Sequence, residues 1–72
     1  MMLPIFSGQK YSYCYEVETG HYLLFDNEHQ SHAYLQGDDA RLFREQMEHI
    51  DSLNVKENKT ELLTENTISL YL

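Results

Sequence analysis

From Lys10 to Val17 the chain alternates. Tyr11, Tyr13, Tyr15 and Val17 fall on one side, and Ser12, Cys14, Glu16 and Glu18 on the other. Period two with aromatic and branched residues predicts a half-buried strand, because tyrosine rings pack across neighbouring chains of a sheet. Glu18-Thr19-Gly20-His21 reads as a tight turn, in which Gly20 can take a positive φ without steric cost. His21 to Phe25 follows as a second strand and completes a hairpin. Asp26 to Ser31 is polar and turn-forming, and His32 to Leu35 is a short third strand. These segments predict a three-stranded antiparallel meander, which needs a cover on one face.

The period then changes. Ala40, Phe43, Met47 and Ile50 recur at spacings of three and four, with Leu42 and Leu53 widening the stripe. Arg44, Glu45, Glu48 and Asp51 take the wet side. An amphipathic helix from Asp38 to Leu53 is expected, with Asp38 as N-cap and Asp39 favourable beside the positive helix end. Arg41 and Arg44 can pair with Glu45 and Glu48 at helical spacing. Asn54 to Lys59 is polar and reads as a loop. In the last thirteen residues, Thr60 to Leu72, patterns compete, and Glu61-Leu62-Leu63-Thr64 fits a helical turn. Ile68, Leu70 and Leu72 alternate with Ser69 and Tyr71 as in a strand, while Thr67 to Tyr71 also fits a helical turn. The fold class is α+β: one domain over residues 1–72, a three-stranded meander under one helix, with a short C-terminal strand or turn.

Composition narrows the function. In 72 residues there are twelve Asp or Glu and five Lys or Arg, a formal charge of -7. A second core cannot be built from so short a chain, and a domain of this size buries only about 60% of its unfolded surface. The chain is too acidic to neutralise a nucleic-acid backbone directly. One cysteine rules out an internal disulfide and points to a reducing, cytoplasmic setting. Met1 to Phe6 is apolar but lacks the basic start and long apolar run of a leader. The longest strictly apolar stretch, Tyr22-Leu23-Leu24-Phe25, is far short of the roughly 20 residues that span a bilayer, so no membrane partner is expected.

Chemistry-bearing residues are present but not in constellations. His29 and His32, near Asp26 and Glu28, form the densest ligand group. A spacing of three suits a helix, whereas this stretch reads as a turn entering a strand; a weak metal-binding module is the most that it supports. His21 and His49 read as structural or surface residues. Cys14 has no activating base, and no nucleophile motif surrounds it. The pairs Asp38-Asp39 and Glu16 with Glu18 lack the cleft that general acid–base work needs. Gly8, Gly20 and Gly37 are isolated, and no nucleotide, cofactor or calcium motif occurs. The chain therefore reads as non-catalytic.

Two features remain. Tyr11, Tyr13 and Tyr15 line one side of one strand. They either cover the core beneath the helix or form an exposed ladder that contacts another protein, since tyrosine is enriched at interfaces. The charge is also segregated. Between Lys10 and Arg41 there is no basic residue, but Glu16, Glu18, Asp26, Glu28, Asp38 and Asp39 give that stretch a formal -6. Such a face can serve solubility or steer a basic protein partner, and in its extreme form imitate the phosphates of a nucleic acid and inhibit its binding protein. The reading is a small acidic cytoplasmic protein that works by protein–protein contact as a homodimer. Tyr11, Tyr13 and Tyr15, or Ile68, Leu70 and Leu72, supply the apolar interface, and the six acids bias any second partner. Inhibition by nucleic-acid mimicry and metal binding are the alternatives.

Overall fold

The tyrosine alternation does build a strand, and that strand lies inside a larger sheet than the pattern suggests. A computed structural model describes residues 1–72. The element order is β1 (Met2–Ser7), β2 (Tyr11–Glu16), β3 (Tyr22–Asp26), β4 (His32–Leu35), α1 (Gly37–Ser52) and α2 (Glu57–Ser69). The four strands form one antiparallel sheet in the order β1-β2-β3-β4. The class is α+β as the sequence predicts, with two differences. The meander has four strands rather than three, and there are two helices rather than one.

The added strand hides its period. Its register against β2 shifts between Pro4 and Phe6, so Leu3 pairs with Tyr15, Pro4 with Cys14 and Phe6 with Tyr13. The extra residue, Ile5, breaks the alternation by which a strand is recognised. Across the rest of the sheet the register is regular. Tyr13 pairs with Leu24 and Tyr15 with Tyr22, and on β4 Ala33 faces Leu24 while Leu35 faces Tyr22. The hairpin between β2 and β3 closes with the Glu16 N–H donating to His21 O at 2.8 Å and the Gly20 N–H to Glu16 O at 2.8 Å. Gly20 has a φ of +76°, the left-handed conformation expected of it.

α1 starts one residue after β4 and packs on the side of the sheet that carries Tyr13, Tyr22 and Leu24. Phe43 is fully buried, and its ring centroid lies 5.0 Å from those of Tyr13 and Tyr22 and 5.7 Å from that of Tyr71. Ala40 and Ile50 are buried with it, while Leu42 and Leu53 stay exposed and do not join the stripe. Asp38 is not the cap. The residue before the helix is Gln36, with no side-chain bond to the first turn; Asp38 lies inside that turn, 3.3 Å from Arg41. Arg44 approaches Glu48 at 3.9 Å. Both contacts are solvent-exposed and contribute little to stability.

The second half of the tail corrects the strand expectation. Residues 57–69 are helical, and Thr64 and Ile68, four apart, turn inwards. Leu70 and Leu72 lie beyond the helix, so their alternation with Ile68 is no strand. α2 is fastened to the β1–β2 turn by one carboxylate: Glu65 Oε1 accepts from the backbone N–H groups of Lys10 at 2.8 Å and Tyr11 at 3.2 Å. The core is thus Tyr13, Tyr22, Leu24, Leu35, Ala40, Phe43 and Ile68, with both helices on one face of the sheet. No helix is long and apolar enough to cross a membrane.

Candidate functional site

The tyrosine stripe faces inwards. Tyr13 is buried at 7% exposure, and Tyr11 and Tyr15 are half-buried against the same core. Burial pushes the Tyr13 phenol up to about 12, with the neighbouring Tyr22 and Asp51 adding to the rise. Burial also raises Tyr22 and Tyr71. Tyr13 therefore has almost no surface to offer a partner, and neither has Ile68, which is fully buried. Leu70 and Leu72, by contrast, are exposed.

The six acids of the sheet half do not share a face. Glu16, Glu18, Asp38 and Asp39 lie at the end of the sheet where β2 turns into β3 and where β4 leads into α1. Asp26 and Glu28 lie at the other end of β3. Five residues of strand separate the two groups, about 17 Å at 3.4 Å per residue. Three of the six are already engaged, Asp38 in its exposed pair with Arg41. Glu16 Oε1 accepts from the Met1 ammonium at 2.6 Å and from the Glu18 N–H at 3.1 Å, and both bonds hold its pKa below the ordinary value. Asp26 organises the β3–β4 turn. Its Oδ1 accepts from the backbone N–H groups of Glu28 and His29, and its Oδ2 lies 3.0 Å from His29 Nδ1. These contacts, led by the His29 N–H, lower its pKa. A phosphate-like array needs continuous free carboxylates, and these six are divided.

The ligand cluster around His29 is equally local. His29 bonds to Asp26, while His32 stands exposed at the start of β4, and no three His, Cys, Asp or Glu side chains are placed to share an ion. Cys14 is half-buried in the sheet.

The surface that sequence reasoning missed is the other face of the sheet. The pairing places Pro4 beside Cys14, Cys14 beside Leu23 and Leu23 beside Tyr34, a row across all four strands. Phe25 stands between Ser12 and His32 in the next such row. None of these residues is buried, and Tyr34 is 48% exposed. The Tyr34 hydroxyl lies 2.7 Å from His21 Nδ1, which fixes the phenol against the sheet. The signal was present in the notation Ser12, Cys14, Glu16, which reads as a wet side. Its apolar character emerges only when β1, β3 and β4 add Pro4, Leu23, Phe25 and Tyr34.

A second apolar feature lies between the helices. A shallow cavity of about 450 Å³ is lined by Leu42, Ile50, Leu53 and Leu63, with Glu45 and His49 among its polar walls. Neither surface joins a nucleophile to a base. No family model matches this chain, and neither the curated proteins nor the solved structures contain a match to it.

Proposed function

We propose that this chain is a non-catalytic cytoplasmic protein that acts through protein–protein contacts and does so as a homodimer. The observation that carries the reading is the imbalance between core and surface. Nine of 72 residues are buried, while twelve large apolar side chains remain exposed. Single exposed apolar residues are ordinary, but Leu42 and Leu53 line the cavity between the helices, and Tyr34 stands on the bare sheet face beside the half-buried Cys14, Leu23 and Phe25, where contiguous apolar surface marks contact sites. The lone thiol supports the reducing compartment. The acid-rich periphery, at a formal -7, favours basic surfaces among any further partners.

The test is capture on immobilised full-length chain from native cytosol at about 0.05 M and about 0.5 M salt, values that straddle strong and weak charge screening. Stoichiometric retention of a protein, either another copy or a second chain, is the expected result. Failure to retain any protein, itself included, refutes the reading.

A further inference from the structure

A four-stranded sheet has two faces, and both helices of this chain cover the same one. The other is bare, and its composition differs from the rest of the surface. Of the twelve acids, five lie on α1 and three on α2. Glu18 and Glu28 lie in turns, and Asp26 is bonded into the β3–β4 turn. Only Glu16 belongs to the bare face, at its corner opposite Met2, where the Met1 ammonium offsets it. The interior of that face is Pro4, Cys14, Leu23, Phe25 and Tyr34, with Ser12, His32 and the Tyr34-bonded His21 as its polar members.

We propose that this face is the self-association surface: two copies pack it sheet against sheet, with the Pro4–Cys14–Leu23–Tyr34 row of each over that of the other. The inference rests on the contact function proposed above and names its surface and partner. A second copy is the occupant that the charge favours. Two chains of formal -7 repel wherever their acids meet, and bringing helix face to helix face would oppose the eight helical acids of each. The bare sheet face lets them meet over neutral side chains with the acids held at the rim. A basic partner has the opposite preference, because this face offers it almost no carboxylate.

Association through the sheet edges is disfavoured by the chain itself. The Val17 N–H donates to Met1 O at 3.0 Å, so alternation along the ladder turns the Pro4 nitrogen outwards, where it has no hydrogen to give an added strand. The bulge after Pro4 bends that edge further. At the opposite edge β4 has only four residues. Face-to-face packing remains, the ordinary arrangement of two sheets about 10 Å apart. Four strands about 4.8 Å apart and about 17 Å long give a footprint of roughly 300 Å² per copy. Two such footprints bury roughly 600 Å² before side-chain relief adds to it, which places the contact at the small end of interface sizes, where association is weak and reversible.

The test is sedimentation velocity of the full chain over a concentration series at about 0.05 M and about 0.5 M salt, with the alkylation rate of Cys14 measured in parallel. The expected result is a dimer that tightens with salt, because salt screens the repulsion between like-charged copies and leaves the apolar contact. Cys14 alkylation slows as concentration rises. Leu23→Glu weakens the dimer at least about tenfold, as a charge placed in its centre requires, and Leu42→Glu on the helix pair leaves it intact. Tyr34→Asp repeats the Leu23 result at a more exposed position, and the wild-type Cys14 measurement needs no variant to fold. A dimer that survives Leu23→Glu but is lost in Leu42→Glu overturns the assigned surface while the contact function stands. A chain that stays monomeric, with Cys14 alkylated at one rate throughout, overturns the second copy as partner, and the capture experiment then decides the contact function separately.

Discussion

Glu65 and Gly8 form the joint between the late helix and the first hairpin, and a double-mutant cycle tests whether that joint holds them together. Glu65→Ala removes the acceptor of the Lys10 and Tyr11 N–H groups, at 2.8 and 3.2 Å. Hydrogen bonds to a charged group are worth about 1.5–3 kcal/mol, but the Lys10 amide is near solvent and recovers a water partner. The net loss is therefore about 2 kcal/mol, or about 8–16 °C in Tm for a domain of this size. Gly8→Ala acts on the same joint from the other side. A Cβ at Gly8 meets the Glu65 carboxyl, with its carbon at 2.9 Å, and the Phe6 ring, also at 2.9 Å. Glu65 can swing aside only by giving up its two bonds, so Gly8→Ala costs about 1–2 kcal/mol in the wild type. Its gain from a stiffer unfolded chain is the same in both backgrounds and cancels from the cycle. Without Glu65 only the Phe6 contact remains, so the two losses overlap by about 1 kcal/mol. Urea denaturation of the four proteins, followed by circular dichroism, measures the overlap. Additivity within about 0.5 kcal/mol refutes the joint.

Two further predictions concern the core. Phe43→Ala removes a fully buried ring with three aromatic neighbours and is expected to cost about 3–5 kcal/mol, much of the roughly 4–11 kcal/mol available to a domain of this length; a thermal melt showing a loss under about 1 kcal/mol sinks the assignment of Phe43 as core centre. Tyr13 ionises at about 12 in the folded chain against an ordinary 10.0. The folded value is the raised one, so its contribution is complete below about pH 10 and is lost as pH rises towards about 12, with a ceiling of about 3 kcal/mol that screening at the hydroxyl lowers. Urea midpoints across that range are expected to fall less steeply for Tyr13→Phe, and equal slopes contradict the assignment.

The segments with an unbroken period were legible in the sequence. β2, β3, β4 and α1 lie within one or two residues of where alternation and helical spacing put them, because each buries every second or every third-to-fourth side chain. β1 was not legible, since Pro4 and the bulge interrupt its alternation. α2 was legible only as a helical turn at Glu61 to Thr64 and as one of two options after Thr67, for a different reason. It buries Thr64 and leaves Leu62 at 59% exposure, so its inward face is not its most apolar one. Ile68, Leu70 and Leu72 then imitated a strand, although only Ile68 reaches the core. The bare sheet face has no period within any one strand. It is a property of register, assembled from Pro4, Cys14, Leu23 and Tyr34 on four strands, and pairing has to be known before it exists.

The order of elements explains why that face is left bare. α1 follows β4 after Gln36 alone, so the chain has no length with which to cross to the other side of the sheet. Its Phe43 meets Tyr13 and Tyr22 on the near side. The connection to α2 runs from Leu53 to Lys56, and Glu65 then ties that helix to Lys10 and Tyr11 on the same side. A chain with all its strands first and both helices last can cover the second face only if a connection is long enough to pass the sheet edge, and neither is. The stripe of tyrosines, with its large rings, receives the cover. The smaller row of Pro4, Cys14, Leu23 and Tyr34 is left to whatever lies outside the chain. In the self-association proposed above, its few charges suit this face to another copy of itself better than to a strongly charged surface.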